Sequence, residues 1–144
     1  MAERTADARW TGDLKDGEGT MRLGSGAYEG SYSFRSRFGD GEGGTNPEEL
    51  IGAAHAGCFS MALADELSQA GHTVDSVETT AKVSLGERDG EAAITGIELS
   101  TKVSASGLED DEFQKIADAA KKGCPVSKAL AATEITLDAE LTSR

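Results

Sequence analysis

Residues 45–63 read TNPEELIGAAHAGCFSMAL, and this segment predicts a long central helix. Asn46 stands where an N-cap is preferred, Pro47 fits the first helical position, and a glutamate follows three residues after Asn46, as in a capping box. No other proline occurs before Gly71, and glycine commonly ends a helix. We therefore predict a helix from Pro47 to about Ala70. Its apolar residues cover more than one face, so we expect it to be buried on most sides.

Segments on both sides of this helix alternate between apolar and polar residues, which is typical of strands. The strand candidates are residues 8–14, 19–23, 32–38, 77–85, 97–105 and 135–141. Asp89-Gly90 predicts a hairpin turn, and two further helices are predicted, from Asp110 to Lys122 and from Cys124 to about Ala131. The order βββ-α-ββ-α-α-β predicts an α+β fold with largely antiparallel sheets in one domain, residues 1–144.

The composition excludes several classes of function. The chain has 144 residues, with 14 Lys plus Arg and 26 Asp plus Glu, for a formal net charge of −12. This charge argues against nucleic acid or an anionic membrane as a partner, since both need clustered cations. No apolar run approaches the length of about 18 residues that suggests a membrane helix, and the N-terminus lacks a signal-peptide pattern. We expect a soluble cytoplasmic protein whose two cysteines form no permanent structural bridge.

The two cysteines, Cys58 and Cys124, give the strongest chemical signal. Cys124 precedes Pro125 at a predicted helix start, where backbone N–H groups favour a thiolate and lower the pKa of a thiol. Cys58 lies inside the long helix, where a free cysteine is often only a small buried apolar residue. A thiolate there needs a nearby cation, yet no Lys or Arg occurs between Arg37 and Lys82. These local arguments make Cys124 the more reactive of the two.

Arg35 and Arg37 are the cations nearest to Cys58 on its N-terminal side, and Glu48 or Glu49 could hold either of them. However, Glu48 and Cys58 are separated by about 15 Å along a straight helix. Side chains that far apart cannot both reach one arginine from the same helix. Either the helix starts later than predicted, or the glutamate meets the cysteine of another chain. The second alternative predicts a dimer with shared active sites.

The two histidines add further alternatives. His55 precedes Cys58 by three residues on the same side of the helix. It is either a base for the thiol or, as is more common, a packed residue bonded to a neighbour. His72 follows Gly71 and is expected at the surface. Because the ligands are scattered, without a Cys-x-x-Cys or His-x-x-x-His pair, we do not expect a metal site.

Residues 45–63, together with GCPVS at 123–127, closely resemble the OsmC (osmotically inducible protein C) family of thiol peroxidases. The similarity extends to WTGD at 10–13, to Arg37-Phe38 and to EITLD at 134–138, so it covers nearly the whole chain. The GAAH sequence before the cysteine is more similar to OsmC itself than to the organic hydroperoxide resistance relatives (Ohr). The resemblance implies an intertwined α+β homodimer, with antiparallel sheets packed around a central helix and two active sites at the subunit interface.

The resemblance also implies a role for each candidate residue. Cys58 is the peroxidatic cysteine, Cys124 the resolving cysteine, Arg37 the activating cation and Glu48 the acid that positions it; this reverses the local preference for Cys124. The implied reaction reduces organic hydroperoxides, and hydrogen peroxide more weakly, through a Cys58 sulfenic acid and a Cys58–Cys124 disulfide. A dithiol, lipoyl-type or other, then regenerates the pair, and no metal or other cofactor is implied. The apolar residues that favour an alkyl hydroperoxide are Phe38, Leu50, Ile51, Phe59 and Met61.

Two other functions stay open on the sequence alone. A non-catalytic protein that binds a small hydrophobic molecule would explain an apolar helix but would leave both cysteines without a role. A thiol redox sensor would use the same chemistry but consume peroxide only once per molecule. Peroxide-dependent disulfide formation distinguishes the first of these from a peroxidase, and the turnover number distinguishes the second.

Overall fold

The computed structural model describes residues 1–143, which divide into two compact units. The first unit is Met1–Leu50, and the second begins at Ile51. The first unit contains β1 Ala6–Thr11, β2 Glu18–Leu23, β3 Glu29–Tyr32 and helix α1 Phe34–Phe38. Its strands pair antiparallel in the order β1-β2-β3, so the first two predicted strands are confirmed to within a few residues.

The third predicted strand, residues 32–38, is largely wrong, because most of this segment folds as α1. Ser33 caps the helix: its Oγ accepts a hydrogen bond from the Ser36 amide at 3.2 Å, and the Ser36 Oγ accepts one from the Ser33 amide at 2.8 Å. The rings of Phe34 and Phe38 lie with their centroids 5.0 Å apart. Residues four apart share a face in a helix and also in a strand, so the apolar spacing fitted both structures.

The second unit contains the long hairpin and the remaining helices. Helix α2, Pro47–Gln69, spans the boundary between the units and is followed by β4 Thr73–Arg88, β5 Glu91–Ser106, α3 Asp110–Gly123, α4 Pro125–Ala129 and β6 Glu134–Ser143. Strands β4 and β5 pair antiparallel through Asp89 and Gly90, whose φ angles are 54° and 81°. A two-residue hairpin turn whose twist matches that of the flanking strands needs positive φ at both positions. The predicted order of elements is therefore confirmed from the central helix onward, whereas before it the third strand lies at Glu29–Tyr32 and not at residues 32–38, and α1 is an addition among the described residues.

Strand β6 pairs with β5 in parallel, with Ile97 opposite Ile135 and Val103 opposite Leu141. The expectation of largely antiparallel sheets is therefore correct for β1 to β5 and wrong for β6. A parallel pair needs a crossover connection that returns the chain to the same end of the sheet. Helices α3 and α4 form that crossover, and it contains Cys124.

The ends of α2 follow the predicted signals. The Asn46 Oδ1 accepts a hydrogen bond from the Glu49 amide at 2.8 Å, whereas the Glu49 carboxylate accepts one from the Thr45 hydroxyl at 2.9 Å. At the other end, Gly71 has a φ of 91°, and the His72 amide donates to a carbonyl of the last turn. Although α2 is long, neither it nor another helix within residues 1–143 combines the length and apolar character needed to cross a membrane.

One face of α2 contributes to the core of the second unit. The fully buried large side chains of this core are Phe59, Leu63, Leu67, Ile97, Leu99, Val103, Leu108 and Phe113. The opposite face of α2 is open in the protomer: Met61 is 77% exposed, and a Cβ at Gly57 would contact nothing. The expectation that α2 is buried on most sides is therefore wrong for a single protomer, because its packing partners cover one face only.

Candidate active site

The structure brings the two cysteines into contact. Cys58 lies in the middle of α2, and Cys124 lies between α3 and α4, yet their Sγ atoms are 2.7 Å apart. Both are free thiols; Cys124 is fully buried and Cys58 is partly exposed. The Cys124 backbone fixes this position, because its amide donates to the Ala120 carbonyl and its carbonyl accepts from the Lys128 amide. Cys124 therefore ends one helix and begins the next.

The surroundings of the two thiols favour opposite protonation states. Burial raises the pKa of Cys124, but hydrogen bonds to its sulfur from Cys58, from the backbone and hydroxyl of Ser127 and from the Val126 backbone outweigh burial, and the net pKa is lowered. Burial, followed by the contact with Cys124, raises the pKa of Cys58. The direction for Cys124 agrees with its position at a helix start. Within one protomer, Cys124 therefore loses its proton more readily than Cys58.

Arg37 and Glu48 form the other pair of candidate residues. The Arg37 Nε and Nη2 donate to the Glu48 carboxylate, with the shortest distance 2.8 Å from Nη2 to Oε1. The Glu48 side chain is only 8% exposed, compared with 37% for Arg37. Arg35 instead pairs with Asp40 in a solvent-exposed ion pair. The sequence could not separate these two arginines without the family motif, whereas the geometry does: Arg37 has the shielded, two-point contact with a carboxylate.

The start of α2 removes one of the two alternatives left open by the sequence. The helix begins at Pro47 and runs without interruption past Cys58. Glu48 and Cys58 are therefore separated by about 15 Å along α2. A later helix start does not explain how an arginine held by Glu48 could activate Cys58.

A cavity lies beside Arg37, and a separate groove lies beside Cys58. Arg37 lines a cavity of about 420 Å³ whose other walls are mostly aromatic; its lining residues are Trp10, Gly12, Leu14, Tyr32, Ser33, Phe34, Arg37 and Phe38. Cys58 borders a groove of about 680 Å³, lined also by Met61, Ala62, Asp65, Glu66, Ala120, Gly123 and Pro125. Phe59, which we expected beside the substrate, instead lies in the core with no exposed surface. Trp10, Tyr32 and Phe34 were not predicted as part of such a cavity.

His55 contacts a serine that the sequence analysis missed. Its Nε2 lies 2.7 Å from the Ser127 Oγ, and both residues are buried. Burial lowers the pKa of His55, which favours the neutral ring. The signals for Ser127 in the sequence were its place in the GCPVS segment and its position three residues after Cys124 at a helix start. Among residues 1–143, no group of three or more His, Cys, Asp or Glu side chains could hold a metal ion.

The fold and site define an α+β protein with a paired-thiol centre, and comparison with known proteins gives the family. The OsmC-like protein family model matches residues 39–140. Peroxiredoxin OsmC of Escherichia coli (strain K12) is 51% identical over 141 residues, which cover 97% of each chain. The chain therefore belongs to the OsmC family.

Two solved structures agree with this assignment. The crystal structure of the organic hydroperoxide resistance protein OhrB of Bacillus subtilis matches with a TM-score of 0.66 and 26% identity, over 96% of this chain and 98% of that one. An OsmC-like protein of Vibrio cholerae matches with a TM-score of 0.76 over 96% of this chain and 99% of that one. At 20% identity, the second match establishes the fold alone. The predicted fold class and family are confirmed.

Proposed function

We propose that the protein is a cysteine-based peroxidase that reduces organic hydroperoxides, and hydrogen peroxide more weakly, in defence against oxidative and osmotic stress. The observation that supports this most directly is the 2.7 Å distance between the Cys58 and Cys124 sulfurs. A thiol that peroxide has oxidised can be regenerated through a disulfide when a second thiol lies within bonding distance. The names of the relatives, a peroxiredoxin and an organic hydroperoxide resistance protein, support the same activity.

Cys58 is the residue that attacks the peroxide in this proposal. Its thiolate attacks the terminal oxygen of ROOH, the O–O bond breaks, and the alkoxide takes up a proton to leave as the alcohol ROH. The cysteine becomes a sulfenic acid. Partial exposure supports this role, since Cys58 borders an open groove while Cys124 has no exposed surface.

Arg37 and Glu48 activate Cys58 across a subunit interface in a homodimer. Within one protomer, burial raises the pKa of Cys58, so a reactive thiolate there needs a cation from elsewhere. The length of α2 separates Glu48 from the Cys58 of the same chain, so we assign this cation to Arg37 of the partner subunit. The exposed face of α2 around Gly57 and Met61 is consistent with a further packing partner. Each chain, residues 1–144, then forms one domain of an intertwined dimer.

The cavity beside Arg37 suits the alkyl part of an organic hydroperoxide. Its aromatic walls offer an apolar surface, while the guanidinium can donate hydrogen bonds to the peroxide oxygens. Its volume of about 420 Å³ falls within the range of small-molecule sites. A dithiol of lipoyl or similar type reduces the Cys58–Cys124 disulfide by exchange, and the reaction takes place in the cytoplasm. Thiols alone carry the electrons, so the proposed chemistry uses no metal or other cofactor.

Steady-state turnover tests the proposal. Purified protein is mixed with cumene hydroperoxide and an excess of dihydrolipoamide, and alcohol formation is followed over time. We expect many alcohol molecules per protein chain and a slower reaction with hydrogen peroxide. A single equivalent of alcohol per chain would instead identify a redox sensor. Binding of the hydroperoxide without disulfide formation would identify a non-catalytic binding protein.

A further inference from the structure

A buried polar chain connects α2 to the first turn of α4, beneath the cysteine pair. His55 has no exposed surface, and its Nε2 lies 2.7 Å from the Oγ of Ser127, which is itself 6% exposed. Ser127 follows Cys124 by three residues and lies in the first turn of α4, which Cys124 begins. The peroxide chemistry described above does not use either residue.

The unpartnered nitrogen of His55 decides where the ring proton lies. Within residues 1–143, the buried Nδ1 of His55 has no hydrogen-bond partner. A buried N–H without an acceptor is costly and rare, whereas an unused lone pair is tolerated better. Burial lowers the pKa of His55 and so favours the neutral ring, whose single proton then lies on Nε2 because Nδ1 has no acceptor among the described residues. The Nε2–H then donates to the Ser127 oxygen.

This direction leaves the hydroxyl proton of Ser127 free for the sulfur. An oxygen that already accepts from His55 can donate its own proton to a neighbouring acceptor. Ser127 lies in the first turn of the helix that Cys124 begins, and its hydroxyl is among the groups that lower the pKa of the Cys124 thiol. Such chains of hydrogen bonds polarise one another and favour the charged acceptor at their end. With the opposite tautomer, Ser127 would donate to His55 and could not stabilise a thiolate.

We infer that His55 and Ser127 are positioning residues for disulfide closure: His55 donates to Ser127, and Ser127 donates to the Cys124 thiolate that attacks oxidised Cys58. The inference rests on the proposed peroxidase function. In the closing step the S–S bond forms and the S–O bond of the sulfenic acid breaks. Hydroxide leaves and combines with the proton from the Cys124 thiol as water. Cys124 is oxidised, and the sulfenic sulfur of Cys58 is reduced.

The test first measures the thiol pKa of Cys124 by thiolate absorbance in a Cys58→Ser background. The titratable and charged groups at this sulfur are Cys58, which the background removes, His55 through Ser127, and in the proposed dimer the guanidinium of Arg37 of the partner subunit, which every variant of this series retains. We expect Ser127→Ala to raise the pKa of Cys124 by about one to two units, since a hydrogen bond to a charged group is lost. Ser127→Thr keeps the hydroxyl and should restore the wild-type value.

The histidine is tested by two substitutions. His55→Gln retains an N–H near the position of Nε2 and should leave the pKa of Cys124 close to wild type, whereas His55→Leu should raise it in the same direction as Ser127→Ala. His72→Gln is the matched control, because His72 bonds to Glu112 and not to the cysteine pair. Circular dichroism of each variant verifies that it is folded before titration.

The rate of closure provides the readout that a purely structural role would not change. With both cysteines present and one equivalent of peroxide, Cys58 oxidation and disulfide closure are followed as separate phases by stopped flow. Below the thiol pKa, Ser127→Ala should slow closure about threefold per unit by which the pKa of Cys124 rises. A higher pKa lowers the fraction of Cys124 that is thiolate, and the greater nucleophilicity of each thiolate compensates for part of this loss. Above that pKa the difference should vanish or reverse. A defect of packing alone would slow closure at every pH.

Two results separate the possible failures. If Ser127→Ala is folded and its Cys124 pKa and closure profile match wild type, the inference about Ser127 and His55 is wrong while the peroxidase stands. If the wild-type protein shows no Cys58 oxidation phase at all, the proposed function itself fails. The pKa measurement in the Cys58→Ser background still tests the hydrogen-bond chain in that case.

Discussion

The Sγ atoms of Cys58 and Cys124 lie 2.7 Å apart while both are free thiols, although one belongs to α2 and the other to the crossover between β5 and β6. This pair is assembled by tertiary packing, since no local motif connects the two residues. Its proximity means that disulfide closure requires little motion of the backbone.

The two cysteine substitutions should fail at different stages. Cys58→Ser should abolish turnover of an alkyl hydroperoxide, because it removes the attacking sulfur. Cys124→Ser should permit one oxidation and then stop, leaving a sulfenic acid that dimedone traps and mass spectrometry detects. The opposite result would reverse the roles of the two residues: the Cys58→Ser protein would consume peroxide at the wild-type rate, and dimedone would label its Cys124.

Replacement of Arg37 should affect the first chemical step. A cation beside a thiol lowers its pKa by about one to three units, so Arg37→Ala should raise the pKa of Cys58 by that amount and slow its oxidation at least severalfold. Arg35→Ala is the matched control, because Arg35 bonds to Asp40 at the surface. Absorbance titration of the Cys58 thiolate, in the Cys124→Ser background, measures the effect. Equal shifts in the two arginine variants would contradict the specific role of Arg37.

Mixed dimers should show whether active sites are shared between chains. Cys58→Ser is expected to be inactive alone, and Arg37→Ala is expected to be at least severalfold slower than wild type. When they are co-expressed with different tags and the hybrid is purified, one site combines Cys58 of the first chain with Arg37 of the second. We expect about half of the wild-type activity from that hybrid. A hybrid that is no more active than the Arg37→Ala parent would place both residues of each site in the same chain.

Analytical ultracentrifugation tests the dimer without reference to activity. We expect a stable dimer of the wild-type chain at micromolar concentration. A stable and fully active monomer would contradict both the dimer and the activation of Cys58 by Arg37 of the partner subunit.

The His72–Glu112 ion pair should make stability depend on pH. The hydrogen bond that the His72 Nε2–H donates to the Glu112 carboxylate, at 2.9 Å, is the main cause that raises the pKa of His72 in the folded protein. Because this pKa is raised on folding, the stabilisation is fully present below the unfolded value of about 6.5 and is lost as the pH rises through the folded value. Urea unfolding at pH 5.5 and pH 8 should therefore show a larger difference between wild type and His72→Gln at the lower pH. A difference that is the same at both pH values would exclude this linkage.

The sequence predicted the elements that have strong local signals. The start of α2 was predicted from Asn46 and Pro47, and its end from Gly71, because capping residues act over a few neighbouring positions. Helix α1 was missed, since Phe34 and Phe38 fit both periods in so short a segment. The parallel direction of β6 was also missed, because alternation along a strand gives its buried face but not its direction.

Only part of the candidate site could be predicted, because local sequence signals do not show which distant residues come into contact. The sequence alone singled out the two cysteines and the shortage of nearby cations, but their roles came from the family resemblance. The family resemblance also selected Arg37 over Arg35 and Glu48 over Glu49, and the structure distinguishes the two arginines independently, because Arg37 pairs with buried Glu48 and Arg35 with exposed Asp40. Ser127 was missed because its importance depends on a contact with His55, far away in the sequence.

The parallel pairing of β6 has a consequence for the order in which the chain folds. Strands β4 and β5 can begin to pair at the tight turn of Asp89-Gly90 and extend from there, whereas β6 must wait for the crossover to close a longer loop. Cys124 lies on that crossover, so we expect it to reach Cys58 only in the last stage of folding. A nascent chain is thereby protected from forming its disulfide before its core exists. Pulsed thiol labelling during refolding should find Cys124 still reactive after the hairpin amides are protected.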